Sequence, residues 1–215
     1  MGPYRYMRRF LHEGIQMKRS LQLGVVFSLA VFAQTAFAQI IENVVATSGE
    51  VDPAAALNDW LQLAEQGDAA AQNMLGVMYS EGVGVPENDA EAVHWYRLAA
   101  EQGHAEAQLV LGGMYDKGKG VPENDVEAVR WYRRAAEQGH ANAQVMLGVM
   151  YSNGTGVLRN DMLAFMWSNI AAASGNTAAL PIKTIAAAKL LPEQRAEAER
   201  MSSVCMQSNY KDCAD

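Results

Sequence analysis

The 215-residue sequence predicts an all-α fold, an α/α superhelical solenoid of helix-turn-helix repeats, on three observations. The stretch Val85 to His104, VPENDAEAVHWYRLAAEQGH, returns as VPENDVEAVRWYRRAAEQGH from Val121 to His140, with 17 of 20 positions identical at an offset of 36. Glycines keep that step at 67, 103, 139 and 175, at 76, 112 and 148, at 82, 118 and 154, and at 84, 120 and 156; tyrosines keep it at 79, 115 and 151, and tryptophans at 95, 131 and 167. Within each period the apolar residues fall at helical spacing. Such self-similarity marks a stack of small units, none of which can bury its apolar face alone.

The first 38 residues stand apart from that stack. Met17–Ser20 is a positive stub, Leu21–Ala33 an apolar run, and Ala36-Phe37-Ala38 an A-x-A ending, so residues 17–38 read as a secretory signal peptide cleaved after Ala38. The run is too short for a membrane span, which needs about 20 apolar residues, so no stable span is expected after cleavage. Residues 1–16 are an N-terminal extension with Met1 and Met7 ahead of Met17, and either Met17 is the true start or the leader is long. Arg8-Arg9 permits a twin-arginine reading, although Phe10 follows directly and the apolar run begins much later. The expected location is periplasmic or secreted. Residues 39–51 read as a flexible linker.

From Gln39 onward the chain has 12 Lys+Arg and 23 Asp+Glu, a formal charge of −11 over 177 residues. So acidic a surface repels phosphate backbones, and nucleic acid is not an expected partner.

Asp52-Pro53 opens an N-terminal capping helix over 52–63. Three 36-residue units follow, at 64–99, 100–135 and 136–171. In the first helix of the first unit, about Asp68 to Ser80, Ala71, Leu75 and Tyr79 form one stripe. In the second helix, Ala92, Trp95 or Tyr96, and Ala99 form another. Gly82 and Pro86 end the first helix, Asn88 or Asp89 caps the second with Glu91 in capping-box register, and Gly103 closes it. Gly76 inside a helix costs about 1 kcal/mol relative to alanine, so its return at 112 and 148 implies close approach of a partner helix, with Ala92 the candidate contact. The third unit's second helix is unusually apolar, with Met162, Leu163, Phe165, Met166 and Ile170, and the C-terminal capping helices of 172–204 are expected to cover it. There Lys183 and Thr184 replace the Leu and Gly of the period, and Leu191-Pro192 starts a last helix although Leu is a poor cap. The tail, 205–215, holds both cysteines. In an exported protein Cys205 and Cys213 most simply form a disulfide; a free pair or an intermolecular bridge are the alternatives.

The pattern A-x-Q-G-x-A-x-A-Q-x-x-L-G-x-M-Y-x-x-G-x-G-V, followed by D-x-x-A-x-x-W, resembles the Sel1-like repeat, a relative of the tetratricopeptide repeat, over residues 64–171. The resemblance implies a scaffold that binds other proteins, with envelope regulators and flagellar or host-interaction factors among exported members. It also implies one catalytic alternative, because cysteine-rich Sel1-like proteins have been described as β-lactamases or penicillin binders. Those carry a C-x7-C pair in each repeat; here that spacing occurs once, in the tail, around Ser208-Asn209-Tyr210-Lys211, an S-x-x-K without S-D-N or K-T-G. A structural subunit of an envelope assembly is the other alternative.

No catalytic residue, cofactor or metal is expected. His104 and His140 replace Asp68 at a helix start, and His94 becomes Arg130 and then Met166, so capping or solvent explains them better than ligation. The pairs Met74/Met78 and Met146/Met150 suit helix packing better than a soft metal. Glu65, Glu101 and Glu137 form a ladder, two of them four residues after Arg97 and Arg133, and read as helix-surface pairs. Binding is expected where the copies differ on the first helices: Asn73/Leu109/Val145, Met74/Val110/Met146, Val77/Gly113/Val149 and Ser80/Asp116/Ser152. Stacked first helices line the inner surface of tetratricopeptide-like superhelices. Asn73, Met74, Val77, Ser80, Leu109, Val110, Asp116, Val145, Met146 and Val149 are therefore the candidate concave face for a protein or peptide. The alternative, that several of them are interhelical core, stays open.

Overall fold

Each run of helically spaced apolar residues becomes a helix in the computed structural model, which describes residues 53–211 and 213. The helices are α1 (Pro53–Glu65), α2 (Ala69–Glu81), α3 (Asp89–Glu101), α4 (Ala105–Lys117), α5 (Asp125–Ala136), α6 (Ala141–Asn153), α7 (Asp161–Ala173), α8 (Ala179–Lys189) and α9 (Pro192–Gln207). No strand occurs among the described residues. All belong to one unit, Glu50–Asp215. None is long and apolar enough to cross a membrane. The extension, signal and linker read at 1–38 and 39–51 lie outside the described residues.

The joints follow from capping chemistry. Gly82, Gly118 and Gly154 end α2, α4 and α6 at φ of 66°, 63° and 76°, the left-handed region open to glycine. Asn88, Asn124 and Asn160 then cap α3, α5 and α7: Asn88 Oδ1 accepts from the backbone N–H of Ala90 (3.1 Å) and Glu91 (3.2 Å). Asparagine, not the aspartate after it, is thus the cap in every unit. Asp68 Oδ1 accepts from Ala71 N at 2.8 Å, and His104 Nδ1 does the same for Ala107 N at 3.2 Å. The imidazole therefore stands in for a carboxylate at a helix start.

Within a unit, α2 packs on α3, α4 on α5 and α6 on α7, and α8 and α9 both pack on α7. The apolar α7 is enclosed by them: Phe165, Met166 and Trp167 share a core with Ala186 of α8 and with Ala198 and Cys205 of α9. Cys205 is thus the buried last turn of α9 rather than tail, and it is bonded to Cys213 with Cα atoms 4.4 Å apart.

Gly76 and Gly112 are required by a ring, not by Ala92. A Cβ on Gly76 would stand 2.6 Å from Tyr96 Cδ1, and one on Gly112 would stand 2.7 Å from Tyr132 Cδ1. In the third unit Ser168 replaces the tyrosine, and the space is closed by Ile182 of α8, whose Cγ2 would be 3.5 Å from a Cβ on Gly148. Losing the ring is what lets α8 pack there.

Between units the stack is held by glutamines. The side-chain N–H groups of Gln72, Gln108 and Gln144 donate to the carbonyls of Ala64 (3.1 Å), Ala100 (2.9 Å) and Ala136 (3.2 Å). Gln102 and Gln138 then donate to Gln72 Oε1 and Gln108 Oε1, both at 2.7 Å. Ser174 occupies the third such position and is too short to continue the series, so the buried Gln144 Oε1 has no partner among the described residues. Gly120 and Gly156 bring each loop onto the helix start of the preceding unit, since a Cβ on either would be 2.3 Å from the carbonyl oxygen of Asp89 or Asp125.

Candidate protein-binding face

On α2, α4 and α6 one stripe is identical in all copies and buried: Ala71/Leu75/Met78, Ala107/Leu111/Met114 and Ala143/Leu147/Met150, none more than 4% exposed. Met78 and Met150 are therefore core, as the packing reading of the methionine pairs expects. Beside this stripe runs a row that departs in the middle copy: Met74, Val77 and Ser80 in the first unit and Met146, Val149 and Ser152 in the third, but Val110, Gly113 and Asp116 between them. All nine are half-buried, with part of each surface open.

Three of the ten expected binding residues, Asn73, Leu109 and Val145, lie outside that row, and two of them are core. Leu109 is 7% exposed and shares a core with Ala143 and Leu147. Val145, at 8%, packs with Ala179 and Ile182. They fill the seam between successive first helices and are not offered to a partner. Asn73, the equivalent residue of the first unit, stays half-buried, but its Oδ1 is shut off from solvent without a partner. Val77, Val110, Met146 and Val149 each rest one side against a core cluster. Long apolar residues that are half supported and half open suit contact with an apolar peptide side chain.

The lower end of the row differs most. In the first unit Ser80 Oγ donates to the Val77 carbonyl (3.1 Å) and lies 3.4 Å from Tyr96 Oη. The equivalent residues are Asp116 and Tyr132 in the middle unit and Ser152 and Ser168 in the third. Burial, and then the charge of Asp125, hold the Asp116 carboxyl above the usual carboxylate range. Burial, with a smaller contribution from Asp116, likewise raises the Tyr132 phenol.

Other polar groups are occupied structurally. His140 does not cap α6; its Nε2 is 2.8 Å from Glu106 Oε2 of the preceding unit, and this hydrogen bond holds the Glu106 carboxyl below its ordinary range. Asn176, one period on, donates to Asn142 Oδ1 at 2.7 Å in the same way. Arg97 reaches across to the Tyr115 hydroxyl at 2.9 Å rather than pairing with Glu101, and Arg133 reaches Tyr151. Trp131 lies under Arg134, whose guanidinium carbon is 4.7 Å from the ring centroid. Ser208 Oγ donates to the Cys205 carbonyl at 2.9 Å, while Asn209 and Tyr210 turn the chain through left-handed conformations before the exposed Lys211. No group of three His, Cys, Asp or Glu residues is placed to hold a metal among the described residues. An open cleft of about 670 Å³ lies apart from the row, where Phe165, Lys183, Arg195 and Glu199 meet between α7, α8 and α9.

The sequence singled out most of the row but missed Tyr132, because tyrosine there repeats in two units and so reads as a stacking residue. The available signal was the pairing of Gly113 with Asp116, three residues apart on one helix face.

A family model for the Sel1 repeat matches three times, at residues 69–104, 105–140 and 141–176. It keeps the 36-residue period and starts five residues later than the units read from the sequence. A Sel1 repeat protein from Oxalobacter formigenes is similar in structure, with a TM-score of 0.60 and 35% identity over 70% of this chain and 62% of that one. The protein c5321, described as a protective antigen present in uropathogenic Escherichia coli strains displaying an SLR fold, is similar with a TM-score of 0.54 and 29% identity over 79% of this chain and 43% of that one. This chain thus spans less than two thirds of the length of either structure. No curated protein matches.

Proposed function

The chain belongs to the Sel1 repeat family, and from that membership we propose that it is an exported, non-catalytic scaffold of the cell envelope that binds a protein or peptide along the half-buried row of α2, α4 and α6. Sel1 repeats mediate protein binding, and one observation carries the assignment of the face. The stripe that holds the stack is invariant across the three units and buried, whereas the row beside it stays half open in each, and in the middle unit Val110, Gly113 and Asp116 replace the Met, Val and Ser of the other two. Met74, Val77, Val110, Met146 and Val149 thus keep apolar surface available to a partner along all three units. Export is supported by the signal-like stretch at 17–38 and by the Cys205–Cys213 bond, which suits an oxidising compartment.

Replacing Met74, Val77, Val110 and Met146 together by serine tests the face. The variant keeps its helical far-UV circular dichroism and loses co-purification of the native partner. A partner retained in full by that variant refutes the assignment. Export is checked by fractionation and N-terminal sequencing, with Gln39 expected as the first residue.

A further inference from the structure

Two departures of the middle unit converge on one hydroxyl. Gly113 stands where the neighbouring units have Val77 and Val149, and a Cβ there would lie 3.5 Å from Tyr132 Oη, so the space a valine would fill is open above that oxygen. Asp116 stands where they have Ser80 and Ser152, and its charge bears on the same phenol. Tyr96 has Ser80 beside its hydroxyl; Tyr132, only 2% exposed, has no hydrogen-bond partner among the described residues. Asp116 makes no ion pair either, and the charges acting on it are Asp125 and Glu123 against the single cation Lys117. A half-buried carboxylate and an unpartnered phenol oxygen beside an apolar notch form a receptor for a donor on a flexible stem.

We propose that the Gly113 notch, with Asp116 and Tyr132, takes a protonated lysine or arginine side chain of the bound peptide. The aliphatic stem lies where the valines of the other units stand, and the charged head donates to the Asp116 carboxylate and the Tyr132 hydroxyl. This rests on the binding face assigned above and adds the chemistry of one of its occupants. An ammonium head with its three donors can serve both acceptors, whereas a neutral apolar side chain leaves both unpaired.

The test is panning of phage-displayed random dodecapeptides on the purified protein and on Gly113→Val and Asp116→Ser. Each variant restores the residue of the neighbouring units, so the fold is retained, as circular dichroism will confirm. The protein enriches peptides with lysine or arginine at one fixed position, and both variants lose that preference. A synthetic peptide from the enriched pool binds each variant about tenfold more weakly, and its Lys→Met or Arg→Met version no longer distinguishes the protein from Asp116→Ser. An enriched motif without a basic residue, or a basic preference that survives in Asp116→Ser, overturns the notch while the binding face stands. Enrichment of no peptide at all overturns both.

Discussion

Gly112→Ala and Gly148→Ala make one chemical change at two equivalent positions of the stack, and their effects should have opposite signs. Both glycines are buried inside helices, where alanine is intrinsically better by about 1 kcal/mol. At 112 the new Cβ would lie 2.7 and 2.8 Å from Tyr132 Cδ1 and Cε1. Carbon atoms need roughly 3.5 Å, so a ring that is 2% exposed and packed in the core would have to move by most of an ångström. Such overpacking costs about 1–3 kcal/mol; taking about 2 and subtracting the helical gain leaves a net loss of about 1 kcal/mol, and at most about 2. At 148 the nearest atoms would be the Ala164 carbonyl oxygen at 3.4 Å and Ile182 Cγ2 and Ser168 Cβ at 3.5 Å, all ordinary contacts. There the helical term survives, a gain of about 0.5–1 kcal/mol. Urea unfolding followed by far-UV circular dichroism measures both, and thermal midpoints should separate by several degrees, at roughly 2–4 °C per kcal/mol. A Gly112→Ala protein as stable as the parent, or a Gly148→Ala protein that loses as much, refutes the account of why these glycines recur.

Ser174→Gln should continue the glutamine series onto the unpartnered Gln144 Oε1 and raise unfolding stability by about 1 kcal/mol, whereas Ser174→Ala should not. Cys205→Ser, or reduction of the Cys205–Cys213 bond, should lower stability by about 2–3 kcal/mol by the chain-entropy relation, read as a lower urea midpoint in dithiothreitol. Glu106 has a depressed carboxyl pKa in the fold, first because of its hydrogen bond with His140. Its contribution is therefore present above the unfolded carboxylate range and is lost as pH falls through the folded value. Because the pair is partly exposed, the effect should be at most about 1 kcal/mol. Glu106→Gln should flatten the acid limb of a stability-versus-pH curve by that amount, and an unchanged limb would show that the pair contributes nothing.

Helix order, turn glycines and cap positions were legible in the sequence because each is a local property: Gly82 needs only its own φ, and Asn88 only the next three N–H groups. Contacts between elements were less legible. The period showed that Gly76 is constrained but could not say that a ring four residues beyond Ala92 imposes the constraint. Variation at 73, 109 and 145 looked like freedom, yet Leu109 and Val145 are buried because the next helix of the stack, α6 or α8, packs over them. Lys183 and Thr184 break the period where α8 packs differently, with Ile182 filling the place of the missing third tyrosine. The repeated glutamines at 72, 108 and 144 were visible as letters, but their role needs a partner 30 residues away, a separation no local pattern encodes.

The central claim is that the chain binds through the varying row of its first helices. In-cell crosslinking from a photoreactive side chain at position 74, on α2, compared with one at the exposed position 94, on α3, tests it most directly. The account predicts a discrete crosslinked partner from position 74 that is absent from position 94. The same partner captured equally from both positions, or from 94 alone, contradicts it.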